Sequence, residues 1–273
     1  MNLPRMGQGT WKLGDDPRSF RREVESIRLG IENGLTLIDT AEMYGEGKSE
    51  VLVGEAIKAY KRKELFIISK AYPFNAGEKL YDALQRSLYR LGTDYLDLYL
   101  LHWRGRIPLS ETIYHMERLV EGGLIKHWGV SNFDTEDMKE LLSLEGGENC
   151  KVNQVLYNLA SRGIEYSLLP YLKENNIETM AYCPITPDKE LFNGIKDNKI
   201  VQDISKKHNI SIPQLLLAFI NHRGDMTPIP RTSNPEHNIE NAEMLEFNLP
   251  TEDYNKLDEE FPAPDHKTQL HIV

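Results

Sequence analysis

The sequence predicts an α/β chain folded as a (β/α)8 TIM barrel, a parallel eight-stranded sheet in a single domain spanning residues 1–273. Short apolar runs recur at a spacing of roughly thirty residues, the length of one βα unit. Eight such runs are present, and amphipathic helical stretches separate them. A chain of 273 residues matches the usual size of one barrel and can bury a large core.

Taken in order, the expected strands begin with Met6-Gly-Gln-Gly-Thr10, followed by Leu35-Thr-Leu-Ile-Asp39, Leu65-Phe-Ile-Ile-Ser69 and Tyr95-Leu-Asp-Leu-Tyr-Leu-Leu101. Lys126-His-Trp-Gly-Val130, Val152-Asn-Gln-Val-Leu156 and Glu178-Thr-Met-Ala-Tyr182 continue the series, and Met226-Thr-Pro-Ile229 closes it after a longer gap. Among the helices, Leu80, Leu84, Leu88 and Leu91 fall on one face. Asp134 three residues before Asp137, and Ser211-Ile-Pro-Gln214, read as helix starts with capping pairs. The segment from Cys183 to Asp225 breaks the rhythm with Pro184, Pro187 and two helical patterns, Val201 to Lys207 and Gln214 to Asn221. Its length suggests a loop with a task. The first strand begins so early that little chain precedes it to plug the barrel bottom. Periodicity alone allows an open sheet as well as a closed barrel; the unbroken count of eight favours closure.

The formal net charge is −10, with both signs mixed along the chain, so neither nucleic acid nor an anionic membrane surface is an expected partner. The two cysteines, Cys150 and Cys183, are far apart and form no CxxC, which indicates neither a disulfide framework nor a thiolate metal site. With no signal-peptide pattern and no run apolar enough to span a bilayer, the reading is a soluble, cytoplasmic protein acting on a small molecule.

In a parallel barrel the chemistry sits where strands deliver their C-terminal ends. Polar residues close the apolar runs repeatedly: Asp39, Lys70, His102, Ser131 with Asn132, and Tyr182, while Gln154 lies within the sixth run and Tyr44 follows Asp39 on a loop. Each has an ordinary explanation taken singly: a helix cap, a surface lysine, a hydrogen-bonded core histidine. All would have to be ordinary together, at one end of one barrel. Tyr44 suits a proton donor if a nearby cation makes its phenol, normally near pKa 10, more acidic. Lys70 is the expected cation, Asp39 its anchor, and His102 a donor to a carbonyl oxygen as negative charge develops there. Tyr44-Gly-Glu-Gly-Lys-Ser49 lacks the first glycine of a P-loop, and no complete GxGxxG follows a strand. The run Ile229-Pro-Arg-Thr-Ser-Asn234 at the last strand is suited to receive a phosphate.

Leu37-Ile-Asp-Thr-Ala-Glu-Met-Tyr-Gly45, Ile68-Ser-Lys70, Asp97-Leu-Tyr-Leu-Leu-His-Trp103, Gly129-Val-Ser-Asn-Phe133 and Asn153-Gln154, in this order, resemble the aldo-keto reductases nearly end to end. The variants Leu101-His-Trp-Arg-Gly105 and Ala181-Tyr-Cys-Pro184 look most like the bacterial members associated with reduction of methylglyoxal, near the 2,5-diketogluconate reductases. The resemblance implies a (β/α)8 barrel that reduces aldehydes and ketones with NADPH, NADH being a weaker alternative, and often works as a monomer. Carried over residue by residue, it implies a catalytic tetrad of Asp39, Tyr44, Lys70 and His102. It implies that Ser131, Asn132 and Gln154 hold the nicotinamide carboxamide and that Tyr182 stacks on the ring. Cys183 stands where the family usually has a serine on the pyrophosphate loop. Arg231 and Thr232 fall at the adenosine 2′-phosphate, and Glu240 and Asn241 near the adenine. His237 replaces a second arginine, and a mostly neutral imidazole grips phosphate less well than a guanidinium. Trp11, Tyr72, Trp103 and Phe133 are placed around the substrate mouth, with core packing as their ordinary role, and the short tail after Phe261 favours small aldehydes.

Two rival readings keep the barrel. One makes His102 and Asp39 metal ligands of a hydrolase, which would require further ligands at neighbouring strand ends. The other is a catalytically idle NADPH-binding regulatory subunit, as the resemblance to potassium-channel β subunits allows.

Overall fold

The computed structural model describes residues 1, 3–186 and 188–273, so Pro187 lies outside the described residues. Eight parallel strands pair in chain order: β1 (Gly7–Gly9), β2 (Leu37–Asp39), β3 (Phe66–Ala71), β4 (Leu96–Leu101), β5 (Ile125–Ser131), β6 (Val152–Leu156), β7 (Glu178–Tyr182) and β8 (Thr227–Pro228). The circle closes where Gly9 bridges Arg231 and its N–H donates to the Pro230 carbonyl at 2.9 Å. β8 is short because Pro228 and Pro230 contribute no N–H to a ladder. The closed barrel predicted by counting apolar runs is therefore present, with the sixth and seventh strands as expected and the other boundaries moved by at most two residues.

The strand period of two divides each strand between two cores. Leu37, Ile68, Leu98, Leu100, Val152, Met180 and Ile229 face inward and fill the barrel, whereas Ile38, Ile67, Tyr99 and Leu101 face outward against the helices. Filling is tight. A Cβ on Gly129 would lie 2.5 Å from the Val152 carbonyl oxygen and 3.0 Å from Leu100 Cδ2, so only glycine fits there. Met1, Leu3 and Phe66 pack at the edge of the interior cluster, so the short N-terminal segment does contribute to it.

The outer layer comprises α1 (Phe20–Glu32), α2 (Lys48–Ile57), α3 (Leu80–Leu91), α4 (Leu109–Glu121), α5 (Thr135–Leu142), α6 (Leu168–Glu174), α7 (Lys189–Asp197), α8 (Lys199–His208), α9 (Ile212–Arg223), α10 (Pro235–Glu243) and α11 (Thr251–Glu260). The four leucines expected on one face of α3 are all buried. Both capping boxes form, Asp134 with Asp137 on α5 and Ser211 with Gln214 on α9. Between Cys183 and Asp225 there are three helices rather than two. The unanticipated one, α7, is short and fully buries only Ile195, with Phe192 half-buried against the core and Leu191 exposed, and Gly194 lies within it.

Ser211→Ala is expected to lower the unfolding free energy by about 1 kcal/mol, because it removes the acceptor for the Gln214 N–H at the start of the buried α9. Urea unfolding monitored by circular dichroism measures this, and an unchanged midpoint would show that the cap adds nothing.

Candidate active site

The inward parity set by Leu37 and Ile68 also aims Asp39 and Lys70 into the barrel, one layer nearer its C-terminal mouth. Lys70 is fully buried and Asp39 is 2% exposed. Lys70 Nζ donates to Asp39 Oδ2 at 2.6 Å, to the Thr40 carbonyl at 3.0 Å and to the Tyr44 phenol oxygen at 3.2 Å, which uses all three of its protons. Asp39 Oδ1 accepts from Gln154 Nε2 at 2.7 Å. Burial pulls the Lys70 pKa down, but the carboxylate of Asp39 and the phenol of Tyr44 outweigh it, and the ammonium stays above its ordinary value.

Tyr44 lies just past β2 in a 3-10 turn, Tyr44–Gly47, where Gly45, Glu46 and Gly47 all have positive φ. Because Lys70 donates to the phenol oxygen, the phenol proton is free to be given to another group. Burial raises the Tyr44 pKa and Lys70 lowers it; the net is a shift above the ordinary tyrosine value. This corrects the sequence expectation: Lys70 acts in the expected direction, but desolvation exceeds it.

His102 follows β4 directly and is 8% exposed, its ring 5.7 Å from that of Tyr44 in edge geometry. Burial, with the adjacent Lys70 cation, lowers its pKa to about 2, so the imidazole is neutral. Nδ1 is buried without a partner, leaving Nε2 as the nitrogen able to reach a ligand. Asn132, at φ 60° beyond the end of β5, donates to the His102 carbonyl and accepts from the Tyr182 hydroxyl at 2.8 Å. Ser131 Oγ donates to the Gln154 carbonyl at 2.9 Å.

Asp39, Tyr44, His102, Ser131, Asn132, Gln154, Tyr182, Cys183, Arg231, Trp11 and Trp103 line one cavity of about 900 Å³ at the barrel mouth. Lys70 sits beneath it. Thr232, His237, Glu240 and Asn241 lie outside its wall, on the β8–α10 connection and on α10, where Thr232 Oγ1 meets His237 Nδ1 at 3.4 Å. Tyr72 stands behind Trp103, edge to face at 5.6 Å. Phe133 is fully buried among core residues and contributes nothing to the cavity wall, contrary to its expected place at the mouth. Lys12, Met43, Arg104, Ile272 and Val273 also line the cavity and were missed. Lys12 follows Trp11 at φ 63°, its ammonium 4.4 Å from the indole centroid, and its position beside an aromatic residue just past β1 was a usable signal. The tail residues carry no such signal. Among the described residues, no group of three or more His, Cys, Asp or Glu is placed to hold a metal ion, and no helix is long and apolar enough to cross a membrane.

A neutral buried His102 is expected to make stability pH-dependent. Below about pH 6.5 the unfolded chain takes up a proton that the folded chain refuses, so unfolding free energy falls by about 1.4 kcal/mol per pH unit from this residue as pH drops. Urea unfolding of wild type and His102→Asn across mildly acidic pH should show the shallower dependence in the variant; parallel slopes would mean that His102 is charged when folded.

The family model for the aldo/keto reductase family matches residues 5–260. The methylglyoxal reductase YeaE of Escherichia coli (strain K12) is 49% identical over 275 aligned residues, covering 100% of this chain and 96% of the relative. The glyoxal reductase of Bacillus subtilis (strain 168) is 35% identical, covering 94% and 89%. The crystal structure of an aldo/keto reductase from Klebsiella pneumoniae in complex with NADP and acetate superposes with a TM-score of 0.96 at 44% identity, covering 99% of this chain and 96% of that one. With the lysine-anchored tyrosine and the neutral histidine at the mouth of a closed parallel barrel, and a match along almost its whole length, this chain belongs to the aldo/keto reductase family.

Proposed function

We propose that this protein reduces small aldehydes and ketones, methylglyoxal among them, to alcohols with NADPH, and that Tyr44 supplies the proton. The observation that carries the reading is the triple hydrogen bonding of Lys70. It holds the phenol oxygen of Tyr44 at 3.2 Å, beside a neutral His102, with the phenol proton free toward the cavity. Bound NADPH supplies the hydride. His102 donates through Nε2 to the carbonyl oxygen and fixes its position; Tyr44 gives its proton to that oxygen, and the Lys70 ammonium stabilises the tyrosinate that remains. Asp39 keeps Lys70 charged and in place.

The cavity suits the cofactor. Its floor carries the amides of Asn132 and Gln154 and the hydroxyl of Ser131 for the carboxamide, with the Tyr182 ring as a stacking face. Cys183, on the same wall, would meet the pyrophosphate. Arg231, Thr232 and His237 take the 2′-phosphate, and Glu240 and Asn241 the adenine; NADH, lacking that phosphate, binds more weakly. Trp11 and Trp103 enclose the substrate together with Ile272 and Val273, Tyr72 supports Trp103 from behind, and Phe133 remains a core residue. The names of the Escherichia coli and Bacillus subtilis relatives support a small dicarbonyl substrate. The regulatory-subunit reading is disfavoured because Tyr44 and His102 face one accessible cavity, with Lys70 directly behind the Tyr44 phenol. Free thiols at Cys150 and Cys183, and a net charge of −10, support a cytoplasmic monomer without nucleic-acid partners.

Tyr44→Phe is expected to lower kcat for methylglyoxal reduction by about 10²- to 10⁴-fold while NADPH binding, read by fluorescence, is retained. In the wild type the reduction rate should stay level through neutral pH and fall only in the alkaline range where the raised Tyr44 phenol ionises. A Tyr44→Phe enzyme of undiminished turnover would remove tyrosine as the donor, and bound NADPH that no aldehyde oxidises would favour the idle subunit.

A further inference from the structure

The site proposed for the 2′-phosphate draws on β8 and α10, yet a residue of α1 reaches it. Arg22, in the first turn of α1, donates from its Nη2 to Asn234 Oδ1 at 3.1 Å. Asn234 is the N-cap of α10 and makes no side-chain capping bond to that helix. Its oxygen is engaged by Arg22, Pro235 has no N–H to offer, and the N–H groups of Glu236 and His237 at the helix start are left for another acceptor.

Three residues before Asn234 stands Arg231, whose Nε donates to the Trp11 carbonyl at 2.9 Å and whose Nη2 donates to the Lys12 carbonyl at 3.5 Å. Both guanidiniums are exposed. Thr232 accepts from the Asn234 N–H at 3.0 Å, and Ser26 of α1 donates to the Thr232 carbonyl, so α1 and the β8–α10 connection are tied together at this point. His237, where a second cation would stand on α10 itself, is an imidazole that holds only a 3.4 Å contact to Thr232.

We infer that Arg22 is the second guanidinium of the 2′-phosphate site, supplied from α1 in place of an arginine on α10, and that it sets preference for NADPH over NADH. A phosphate monoester seated on the open α10 terminus is flanked by Arg231 and Arg22, each permanently charged and able to donate two parallel hydrogen bonds. On binding, Arg22 exchanges its neutral partner, the Asn234 amide, for a dianion. The inference rests on the NADPH reading above.

The test is equilibrium binding of NADPH, NADH, 2′,5′-ADP and 5′-AMP to the wild type, Arg22→Ala, Arg22→Lys and Arg231→Ala, read by protein fluorescence and calorimetry. Arg22→Ala is expected to weaken NADPH and 2′,5′-ADP by about tenfold and to leave NADH and 5′-AMP where they were, with Arg22→Lys in between. The NADPH affinity of Arg22→Ala should also decline less steeply with salt than that of the wild type. If Arg231→Ala loses discrimination between the two dinucleotides while Arg22→Ala keeps it, the inference fails and the cofactor reading stands. Equal weakening of NADPH and NADH in Arg22→Ala would also overturn it, since that pattern marks a structural role. A wild type that binds NADH as tightly as NADPH would overturn the cofactor reading and this inference with it.

Discussion

The buried ion pair between Lys70 and Asp39 is the constraint on which the site depends. Two charges removed from water are costly unless every proton and lone pair finds a partner, and removing one member strands the other. Here Lys70 has three acceptors and Asp39 has donors on both oxygens, so the pair is satisfied within the barrel. One of those acceptors is the Tyr44 phenol oxygen. The same interaction that makes the pair tolerable therefore fixes the phenol of Tyr44, the proposed proton donor.

The pair also sets the electrostatics of its neighbours. Its cation, added to burial, keeps His102 neutral, and a neutral imidazole can donate one hydrogen bond without competing with Tyr44 for the role of acid. Tyr44 itself is held above its ordinary pKa by desolvation, which keeps the phenol protonated and ready to donate. The proposed division of labour between an acid and a hydrogen-bond donor would follow from these two environments, whose rings are 5.7 Å apart.

Around this centre the barrel distributes tasks by strand. Short strands leave their last residues at the mouth, and the loops after them supply aromatic and apolar walls. The tail, through Ile272 and Val273, closes part of the same wall. The β8–α10 connection joins the same wall through Ile229, Pro230 and Arg231, whereas Thr232 and α10 lie outside it, so the residues proposed for the far end of a dinucleotide begin at the cavity rim and run away from the Lys70–Tyr44 centre.

Much of this was legible in the chain. The strand positions followed from apolar runs, because a strand buried on both faces needs an unbroken one, and the polar residues closing those runs were visible as interruptions at a regular interval. Asp39, Lys70 and His102 could be read for that reason, and Tyr44 from its place on the loop after Asp39. What the sequence could not contain was the balance of opposing effects: Tyr44 lies beside a cation yet is shifted upward, because desolvation depends on the whole enclosure and not on any one neighbour. Phe133 looks like a pocket residue beside Ser131 and Asn132, but the next step along the backbone turns its ring into the core. Arg22 and Val273 are distant in sequence from everything they approach, and no periodicity marks them. Local order along the chain determined the barrel and the chemistry at its strand ends; the tertiary structure decided pKa, orientation and the long-range neighbours, since each depends on atoms that only folding brings together.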